Sequence, residues 1–276
     1  MIIVDRNNTC IIVVSFNPPN DFKQNVIRYA EITNNIIIVD NHSSGDILLS
    51  IPDNLRNFFT IIKSNENRGI AWGLNRGLSE AFKKGYLYAL TLDQDSLPVS
   101  NILTLYNTIL FKEKDVGLLG TTFTDKIKDF SKVHVKSALT VITSGTLHSL
   151  KILPKVGFYN EKLFIDSVDF DFALRVKEKG YRVLRTTEPL LCHHLGSPIC
   201  KFGIKSSNHN VIRRYYMARN HVIICKLYWK KFPVWIFKKN CFFLITILKM
   251  FIVEKNIKEK FIATLEGIYD AFKLNR

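Results

Sequence analysis

The chain has 276 residues, of which 47% are hydrophobic and 23% charged, and its formal net charge at pH 7 is +15. This length allows one large or two small domains with ample material for a core. The hydrophobic content excludes a low-complexity disordered chain, and five scattered cysteines exclude a disulfide framework. The first residues do not form a basic, apolar export signal, so we expect a reducing, cytoplasmic setting.

The first half of the chain alternates apolar runs with helix-like stretches. The apolar runs predict four strands, over residues 10–15, 36–40, 59–63 and 86–92. Between them the pattern predicts helices over residues 21–33 and 70–84. Strands and helices that alternate at this spacing indicate an α/β fold with a mainly parallel central sheet.

Beyond residue 100 the pattern is mixed. In chain order we predict a helix over 100–112, a strand over 116–120, a polar excursion over 121–137, a return to the sheet over 139–145, a helical stretch over 147–156, a helix over 166–179 and a strand over 181–186. We therefore expect an α/β domain over residues 1–200. No Gly/Ser linker follows it, so residues 201–276 should form a helical region that packs on this domain.

The positive charge is concentrated in that C-terminal region. Residues 1–199 carry 23 basic and 20 acidic side chains, net +3, whereas residues 201–276 carry 16 basic and 4 acidic ones, net +12. The basic residues are interleaved with aromatic and aliphatic ones, which suits the surface of an anionic membrane. Alternatively, the apolar face of these helices packs on the main domain while the lysines are solvated.

The same region is too short in apolar sequence to cross a bilayer. Its longest apolar run, residues 241–253, contains Lys249, whereas a spanning helix needs about 20 apolar residues. We therefore predict contact with a membrane surface rather than insertion across it.

Polar side chains follow several of the predicted strands. Asp40, Asn67 and the pair Asp93 and Asp95 all lie where a strand ends or shortly after it. Ligands of such sheets bind beyond the carboxyl ends of the strands. Two carboxylates separated by one residue also suit Mg²⁺ or Mn²⁺ bound to a diphosphate, although an aspartate-rich turn has the same sequence pattern.

Three acidic residues lie close together at the start of a predicted helix. Asp166, Asp169 and Asp171 repel one another, which should raise at least one pKa and suits a general base. Capping of the helix N-terminus would explain one or two of them.

The pair His193 and His194 follows the last predicted strand. Such a pair can supply a metal ligand or contact a phosphate. The cysteines lack C-x-x-C spacing, which argues against a zinc site. The chain also has no G-x-G-x-x-G or P-loop pattern, which argues against dinucleotide and ATP folds.

Five segments occur in the order seen in family 2 glycosyltransferases, and the chain resembles that family over about residues 10–200. The segments are residues 14–18, 38–43, 67–77, 92–96 and 163–169. The forms Asp-Gln-Asp-Ser and Phe-Ile-Asp-x-Val-Asp resemble most closely the bacterial rhamnosyltransferases of O-antigen and related polysaccharides. Residues 214–220 resemble the same group more loosely.

The resemblance implies a GT-A type nucleotide-sugar-binding fold. Asp40 would contact the base, and Asp93 and Asp95 would stand at the ribose and at a Mg²⁺ or Mn²⁺ ion on the diphosphate. The donor-binding residues expected from the resemblance are Ser15, Asn17, Asp40, Asn67, Arg68, Gly69, Asn75, Asp93 and Gln94. His193 and His194 are further candidate metal ligands, and His193 fits the His-x-x-Gly element slightly better.

The resemblance also assigns the catalytic segment. Asp169 matches the catalytic base, with Asp171 and Arg175 completing the helix motif and Asp166 nearby. Many relatives have Glu immediately before the base, whereas this chain has Val168. Arg175, Arg214 and Arg219 are the residues expected on the acceptor side.

The reaction implied is an inverting transfer of L-rhamnose from dTDP-L-rhamnose to a lipid-linked saccharide, at the cytoplasmic face of the inner membrane. A transferase of the same fold that uses a UDP-hexose or a UDP-N-acetylhexosamine is an alternative, and so is an inactive transferase. Outside this class, the basic region could belong to a non-catalytic module that binds membrane or nucleic acid. The near-neutral first 199 residues argue against nucleic acid.

Overall fold

The computed structural model describes residues 3–126, 128–193 and 199–274, with His193 described by its main chain only. The chain forms two compact units. The sheet unit comprises Met1–Glu161 and Val168–His194. The helical unit comprises Lys162–Ser167 and Leu195–Arg276, so the chain enters it twice.

Among the described residues, the sheet unit holds one nine-stranded sheet with the order β3-β2-β1-β4-β8-β6-β9-β5, and β7 pairs with β9. Its strands are β1 (Thr9–Ser15), β2 (Ile36–Asp40), β3 (Phe59–Lys63), β4 (Tyr88–Asp93), β5 (Ser96–Pro98), β6 (Val116–Thr124), β7 (Val135–Ser137), β8 (Thr146–Ser149) and β9 (Arg182–His193). Its helices are α1 (Phe22–Ile32), α2 (Gly69–Lys83), α3 (Ile102–Lys112), α4 (Leu153–Val156) and α5 (Val168–Glu178).

Strands β3, β2, β1 and β4 form the parallel half of the sheet. Every residue of β1 and β2 is buried, as their continuous apolar runs predict. The four predicted strands and two predicted helices of this half are confirmed to within a few residues at their ends. Parallel neighbours bring the carboxyl ends of these strands to one edge of the sheet.

Helix α2 approaches β1 closely through two glycines. A Cβ atom at Gly73 would lie 2.5 Å from Val14 Cγ1, and one at Gly77 would overlap Ile12 Cγ2. Because no side chain fits there, the helix axis comes nearer to the sheet than a larger residue would allow.

The other half of the sheet differs from the sequence prediction. Residues 139–145 are not a strand. The strand is instead Thr146–Ser149, which was predicted to be the start of a helix and which pairs antiparallel with both β4 and β6. Gly145, with φ +75°, turns the chain just before this strand. The β-branched residues of 139–145 favour a strand locally, but the backbone pairing goes to their neighbours.

Three further stretches of secondary structure differ from the prediction. After β8 the chain makes a 3₁₀ turn and then only the short α4, with Pro154 in its first turn. The region predicted as a polar excursion, 121–137, contains the end of β6 and all of β7. Strand β9 continues to His193, well past the predicted end at residue 186, because it pairs with β5, β6 and β7.

The described part of the helical unit contains three helices, in agreement with the helical region predicted there, and a hairpin that was not predicted. The helices are α6 (Val211–Tyr228), α7 (Pro233–Val253) and α8 (Ile257–Lys273), and the hairpin pairs β10 (Ile199–Lys201) with β11 (Ile204–Ser206). Helix α8 meets α6 at Gly267, where a Cβ atom would overlap the Tyr215 carbonyl oxygen. In the described residues, every helix is too short or too polar to cross a membrane.

Candidate active site

The strand registers bring three predicted site residues to the carboxyl edge of the parallel strands. Ser15 in β1 pairs with Asp40 in β2, and Val14 in β1 pairs with Asp93 in β4. Neighbouring strands lie about 4.8 Å apart. Ser15, Asp40 and Asp93 therefore line one continuous edge.

Two loops at this edge are bonded to each other. The amide of Ser43 donates to Asp40 Oδ1 at 3.0 Å, and the amide of Asn17 donates to Ser43 Oγ at 2.9 Å. Asn17 Oδ1 in turn accepts from the amide of Ser44 at 2.9 Å. Asn17 (φ 46°) has left-handed backbone, which an asparagine tolerates better than most residues. The buried Asp40 is thereby held between these two loops, which form the first part of the polar edge that we call the rim.

Asn67, Arg68 and Gly69 form a second part of the rim through Asn41, a residue that sequence analysis did not select. The Asn41 amide group donates to Asn67 Oδ1 at 2.9 Å and accepts from the Arg68 backbone amide at 2.9 Å. Gly69 also donates to Asn67 Oδ1, at 3.0 Å. The Arg68 guanidinium lies 5.2 Å from the centre of the Trp72 ring. Asn41 directly follows Asp40, which was the one signal in the sequence for its role.

Gln94 ties the turn after β4 to the end of β1. The Ser15 hydroxyl and the Phe16 amide donate to Gln94 Oε1 at 3.0 and 2.9 Å, and Gln94 Nε2 donates to the Phe16 carbonyl at 3.2 Å. The amide of Asp93 donates to Ser144 Oγ at 2.9 Å. The described contacts of Gln94 thus hold the turn that carries Asp93.

Asp93 is half-buried and Asp95 is exposed on this turn. Both charges act on the buried Tyr29 beneath them. Burial raises the pKa of Tyr29 well above its ordinary value, and the negative charges of Asp93 and Asp95 raise it further. The turn is therefore a centre of negative potential at the sheet edge.

The donor set of this turn fits a hard divalent cation, because both side chains supply carboxylate oxygens. In the part of the chain that the structure describes, no group of three or more His, Cys, Asp or Glu side chains is arranged to hold a metal. Mg²⁺ often needs only one or two protein carboxylates, with substrate phosphates completing its shell. The candidate ligand His194 lies outside the described residues, as does the side chain of His193.

In helix α5, Asp169 and Asp171 have different surroundings. Asp169 is half-buried in the first turn, whereas Asp171 is buried and pairs with Arg175, whose Nε donates to its Oδ2 at 2.9 Å. Arg175 also donates to the carbonyls of Val156 and Phe158, each at 2.8 Å. The described contacts of Asp171 and Arg175 fasten α5 to the end of α4 and to Phe158 just after it.

Tyr159 links the two groups of acids, although sequence analysis did not select it. Its hydroxyl donates to His148 Nε2 at 2.8 Å. Burial raises the pKa of Tyr159, and the negative charges of Asp169 and Asp93 raise it further. The negative charges of Asp93 at the strand edge and of Asp169 in α5 thus both act on Tyr159.

Asn75 supports this region from helix α2. Its Oδ1 accepts from the Tyr159 amide at 2.8 Å, and its Nδ2 donates to the Tyr159 carbonyl at 3.0 Å and to Glu161 Oε1 at 2.8 Å. Both ends of the Asn75 amide are engaged in holding residues 159–161.

The remaining predicted residues belong to the helical unit. The Asp166 carboxylate pairs with Arg213, and Arg219 donates to the Lys162 carbonyl at 2.6 Å. Arg214 is 5% exposed and pairs with the buried Glu254, which Lys260 also contacts. Arg214 thus belongs to an internal ion cluster.

Comparison with known proteins agrees with this architecture. The family model described as Glycosyl transferase family 2 matches residues 10–166, more than half of the chain. A relative from Shigella flexneri, named dTDP-rhamnosyl transferase RfbF, is 26% identical over 292 residues, which cover 95% of this chain and 96% of the relative.

Solved structures share the fold at low identity. S. aureus TarS 1–349 matches with TM-score 0.59 and 13% identity, over 96% of this chain and 80% of that one. GalNAc-T7 with UDP, GalNAc and Mn²⁺ matches with TM-score 0.60 and 11% identity, over 85% and 50%. The mannosyltransferase PcManGT from Pyrobaculum calidifontis, with GDP-Man and Mn²⁺, matches with TM-score 0.55 and 13% identity, over 100% and 79%.

These structures confirm the predicted fold class, an α/β GT-A-like fold with a mixed, mostly parallel central sheet and C-terminal helices. The family match begins in β1 and includes every strand end that forms the rim. The chain belongs to glycosyltransferase family 2, which implies a nucleotide-sugar donor.

Proposed function

We propose that the chain is an inverting, metal-dependent rhamnosyltransferase that moves L-rhamnose from dTDP-L-rhamnose to a lipid-linked saccharide in cell-surface polysaccharide (O-antigen) synthesis. The observation that carries this proposal is the relative named dTDP-rhamnosyl transferase, which matches nearly the whole length of both chains. The similarity therefore includes the C-terminal region, which the family model does not reach.

In this proposal the rim at the sheet edge holds the donor. Asp40 contacts the base, and the loops that contain Asn17 and Asn67 surround the nucleotide. Asp93 and Asp95 would hold Mg²⁺ or Mn²⁺, which would neutralise charge on the diphosphate leaving group. Gln94 and Asn75 support this rim through the contacts described above.

Asp169 is the proposed base. It accepts the proton of an acceptor hydroxyl while that oxygen bonds to the anomeric carbon, and the bond from this carbon to the diphosphate oxygen breaks. Attack on the face opposite the leaving group inverts the anomeric configuration. The pair of Asp171 and Arg175 keeps α5 in place, and Asp169 lies in the first turn of this helix.

A donor screen tests this function. Purified protein is offered dTDP-L-rhamnose, UDP-glucose, UDP-galactose, UDP-N-acetylglucosamine and UDP-N-acetylgalactosamine with a lipid-linked glycan acceptor. We expect turnover of dTDP-L-rhamnose that EDTA abolishes and added Mg²⁺ or Mn²⁺ restores. Turnover of UDP-sugars alone, which the TarS complex with UDP-GlcNAc makes the second candidate, would contradict the rhamnose assignment. Full activity in EDTA would contradict the proposed requirement for a metal ion.

The second part of the proposal concerns helix α7. It has 21 residues, mostly apolar, yet only Ile236, Met250 and Val253 are buried. Its exposed apolar side chains include Phe237, Phe242, Leu244 and Leu248. Exposed lysines accompany them at Lys230, Lys231 and Lys238. An apolar face with cations beside it fits an anionic membrane interface, and we assign that surface to α7.

Vesicle sedimentation tests the membrane surface. The double variant Phe242→Ser and Leu248→Ser should lose most binding to phosphatidylglycerol vesicles, and the native chain should bind neutral phosphatidylcholine vesicles far less. The matched control is Phe111→Ser, an equally exposed phenylalanine of the sheet unit, which should bind as the native chain does. Native binding by the double variant would contradict the assignment. So would a stable dimer that this variant abolishes, because α7 would then contact a second copy.

A further inference from the structure

The segment 163–167 has an unusual backbone conformation. Phe164, Asp166 and Ser167 have φ angles of 62°, 64° and 62°, in the left-handed region that residues with a side chain disfavour. Three such residues within one short segment persist only where surrounding contacts hold them. The segment contains Asp166, and Ser167 is followed directly by the first residue of α5.

Asn220 of helix α6 provides those contacts. It is 0% exposed, and its Nδ2 lies within hydrogen-bond distance of the carbonyl oxygens of Leu163 and Ile165, both at 2.7 Å, and of Asp166 at 2.9 Å, so that two N–H groups are shared among three acceptors. A single side-chain amide thus orients three peptide groups of the segment. The Leu163 carbonyl also accepts from the Ile165 amide at 2.7 Å and from Arg219 at 3.2 Å, and the Asn220 bonds add side-chain partners for the carbonyls of Ile165 and Asp166.

Two other residues of α6 contact side chains of the same segment. The Phe164 ring stacks on Tyr216 with 4.8 Å between centres. Arg213 pairs with both carboxylate oxygens of Asp166, at 3.1 and 3.2 Å. Arg213 is exposed and Tyr216 is half-buried, whereas Asn220 itself is buried.

We infer that Asn220 is a positioning residue for the transfer reaction. It makes no contact with donor or acceptor in this assignment. Its amide fixes the backbone that presents Asp166 and that continues into the first turn of α5, where the proposed base lies. An error of about 1 Å in the position of a catalytic group can lower the rate about 100-fold, so loss of these bonds acts on turnover.

This inference rests on the proposed function, but not on the identity of the donor. It predicts a specific kinetic pattern, because the described bonds of Asn220 hold the segment that leads into the helix of the proposed base and involve no residue of the donor rim. kcat should fall while KM for the nucleotide sugar stays nearly constant.

The experiment uses the full chain and whichever donor the native protein turns over. In Asn220→Ala, which removes all three bonds, we expect kcat to fall about 10–100-fold with KM for the donor within about two-fold. In Asn220→Ser, which retains one hydroxyl donor, the loss should be smaller. The control is Thr264→Val, which removes a buried bond from Thr264 Oγ1 to the Lys260 carbonyl in α8, away from the segment. Its kcat should stay within two-fold of native even where its melting temperature falls.

Two results would overturn the inference. One is native kcat in a folded Asn220→Ala or Asn220→Ser variant. The other is an equal loss of kcat in Thr264→Val at an equal fall in melting temperature, which would make the effect merely structural. If neither Asn220 variant folds, Arg219→Met removes the donor to the Lys162 carbonyl at the edge of the segment and is judged by the same two outcomes. A native chain that transfers no sugar contradicts the proposed function instead.

Discussion

The two units of this protein use charged side chains in opposite ways. The sheet unit carries nearly balanced charge and places Asp93 and Asp95 at the sheet edge, half-buried and exposed. The helical unit has few acidic residues, and it buries one of them, Glu254, between Arg214 and Lys260. The acids of the first thus lie at an edge that solvent reaches, whereas the buried ion cluster of the second stabilises its own packing.

The contrast also holds for apolar groups. Every residue of β1 and β2 in the sheet unit is buried, whereas α7 in the helical unit leaves most of its apolar residues exposed. Exposed apolar side chains that lie together are typical of a surface that contacts another one, which is the role proposed for α7. The polar interior of the helical unit then serves to fix the packing of the helices. Four predictions test this contrast, from the largest expected effect to the smallest.

The first prediction concerns the two acids of helix α5 in the sheet unit. Asp169→Asn should lower kcat about 10²–10⁴-fold, the usual contribution of a general base, with donor affinity within about two-fold as measured by calorimetry. Asp171→Asn should instead lower the melting temperature, because it weakens the buried pair with Arg175. If Asp169→Asn keeps half or more of the native kcat, Asp169 is not the general base.

The second prediction concerns the buried acid of the helical unit. Glu254→Gln leaves Arg214 and Lys260 buried without their counter-charge, and should lower the free energy of unfolding by about 3–5 kcal/mol. Hydrogen exchange of the amides of α6 and α8 measures the loss. Glu266→Gln, an exposed change in the same helix α8, should alter it by less than about 0.5 kcal/mol. Equal losses of unfolding free energy in the two variants would show that the buried ion cluster stabilises the unit no more than an exposed charge does.

The third prediction uses pH to separate the units. Burial lowers the pKa of His148 in the sheet unit to about 4, from its ordinary 6.5. Between these values the unfolded chain binds the proton and the folded chain does not, so the free energy of unfolding falls as pH falls from about 6.5 to 4. The total loss is about 3 kcal/mol.

His148→Gln isolates this effect from other titrating groups. Denaturant unfolding at several pH values should show a shallower fall for His148→Gln than for the native chain over that pH window. In the helical unit, burial raises the pKa of Glu254, but bonds from Ser206 and Lys260 and the nearby cations outweigh it and leave the pKa below its ordinary value. The stability from Glu254 is therefore present above that ordinary value and is lost as the pH falls through the lowered pKa. Identical slopes for native and variant chains would contradict the role of His148.

The fourth prediction compares one close helix contact in each unit. Gly77→Ala in α2 presses on the Ile12 side chain and should cost about 1–3 kcal/mol of unfolding free energy. Gly267→Ala in α8 presses on the Tyr215 backbone carbonyl, which has no rotamer to change, and should cost more. Gly45→Ala, with nothing within 4 Å, is the control. Thermal melting of the three variants decides the order.

Much of the parallel half of the sheet could be predicted from sequence. Strands β1 and β2 are continuous apolar runs because both of their faces are covered, and that pattern does not depend on which strand lies beside them. The acids at the strand ends could be identified for the same reason. The end of a buried strand is visible as the point where the apolar run stops.

The other half of the sheet was decided by pairing between distant segments. Residues 139–145 have the composition of a strand, but Thr146–Ser149 takes the place between β4 and β6. The choice depends on hydrogen bonds to residues about 30 and about 60 positions away in the chain. Local propensity contains no information about such partners.

The same distinction applies to the site. The sequence by itself determined the family resemblance and the acids Asp40, Asp93 and Asp169 as candidates, because these follow recognisable local patterns. Only the tertiary structure decided that the described hydrogen bonds of Gln94, Asn75 and Arg214 are made to other groups of the protein. A polar side chain has the same identity in a ligand site and in a buried network. Its partners, which the fold brings from elsewhere in the chain, determine which of the two it joins.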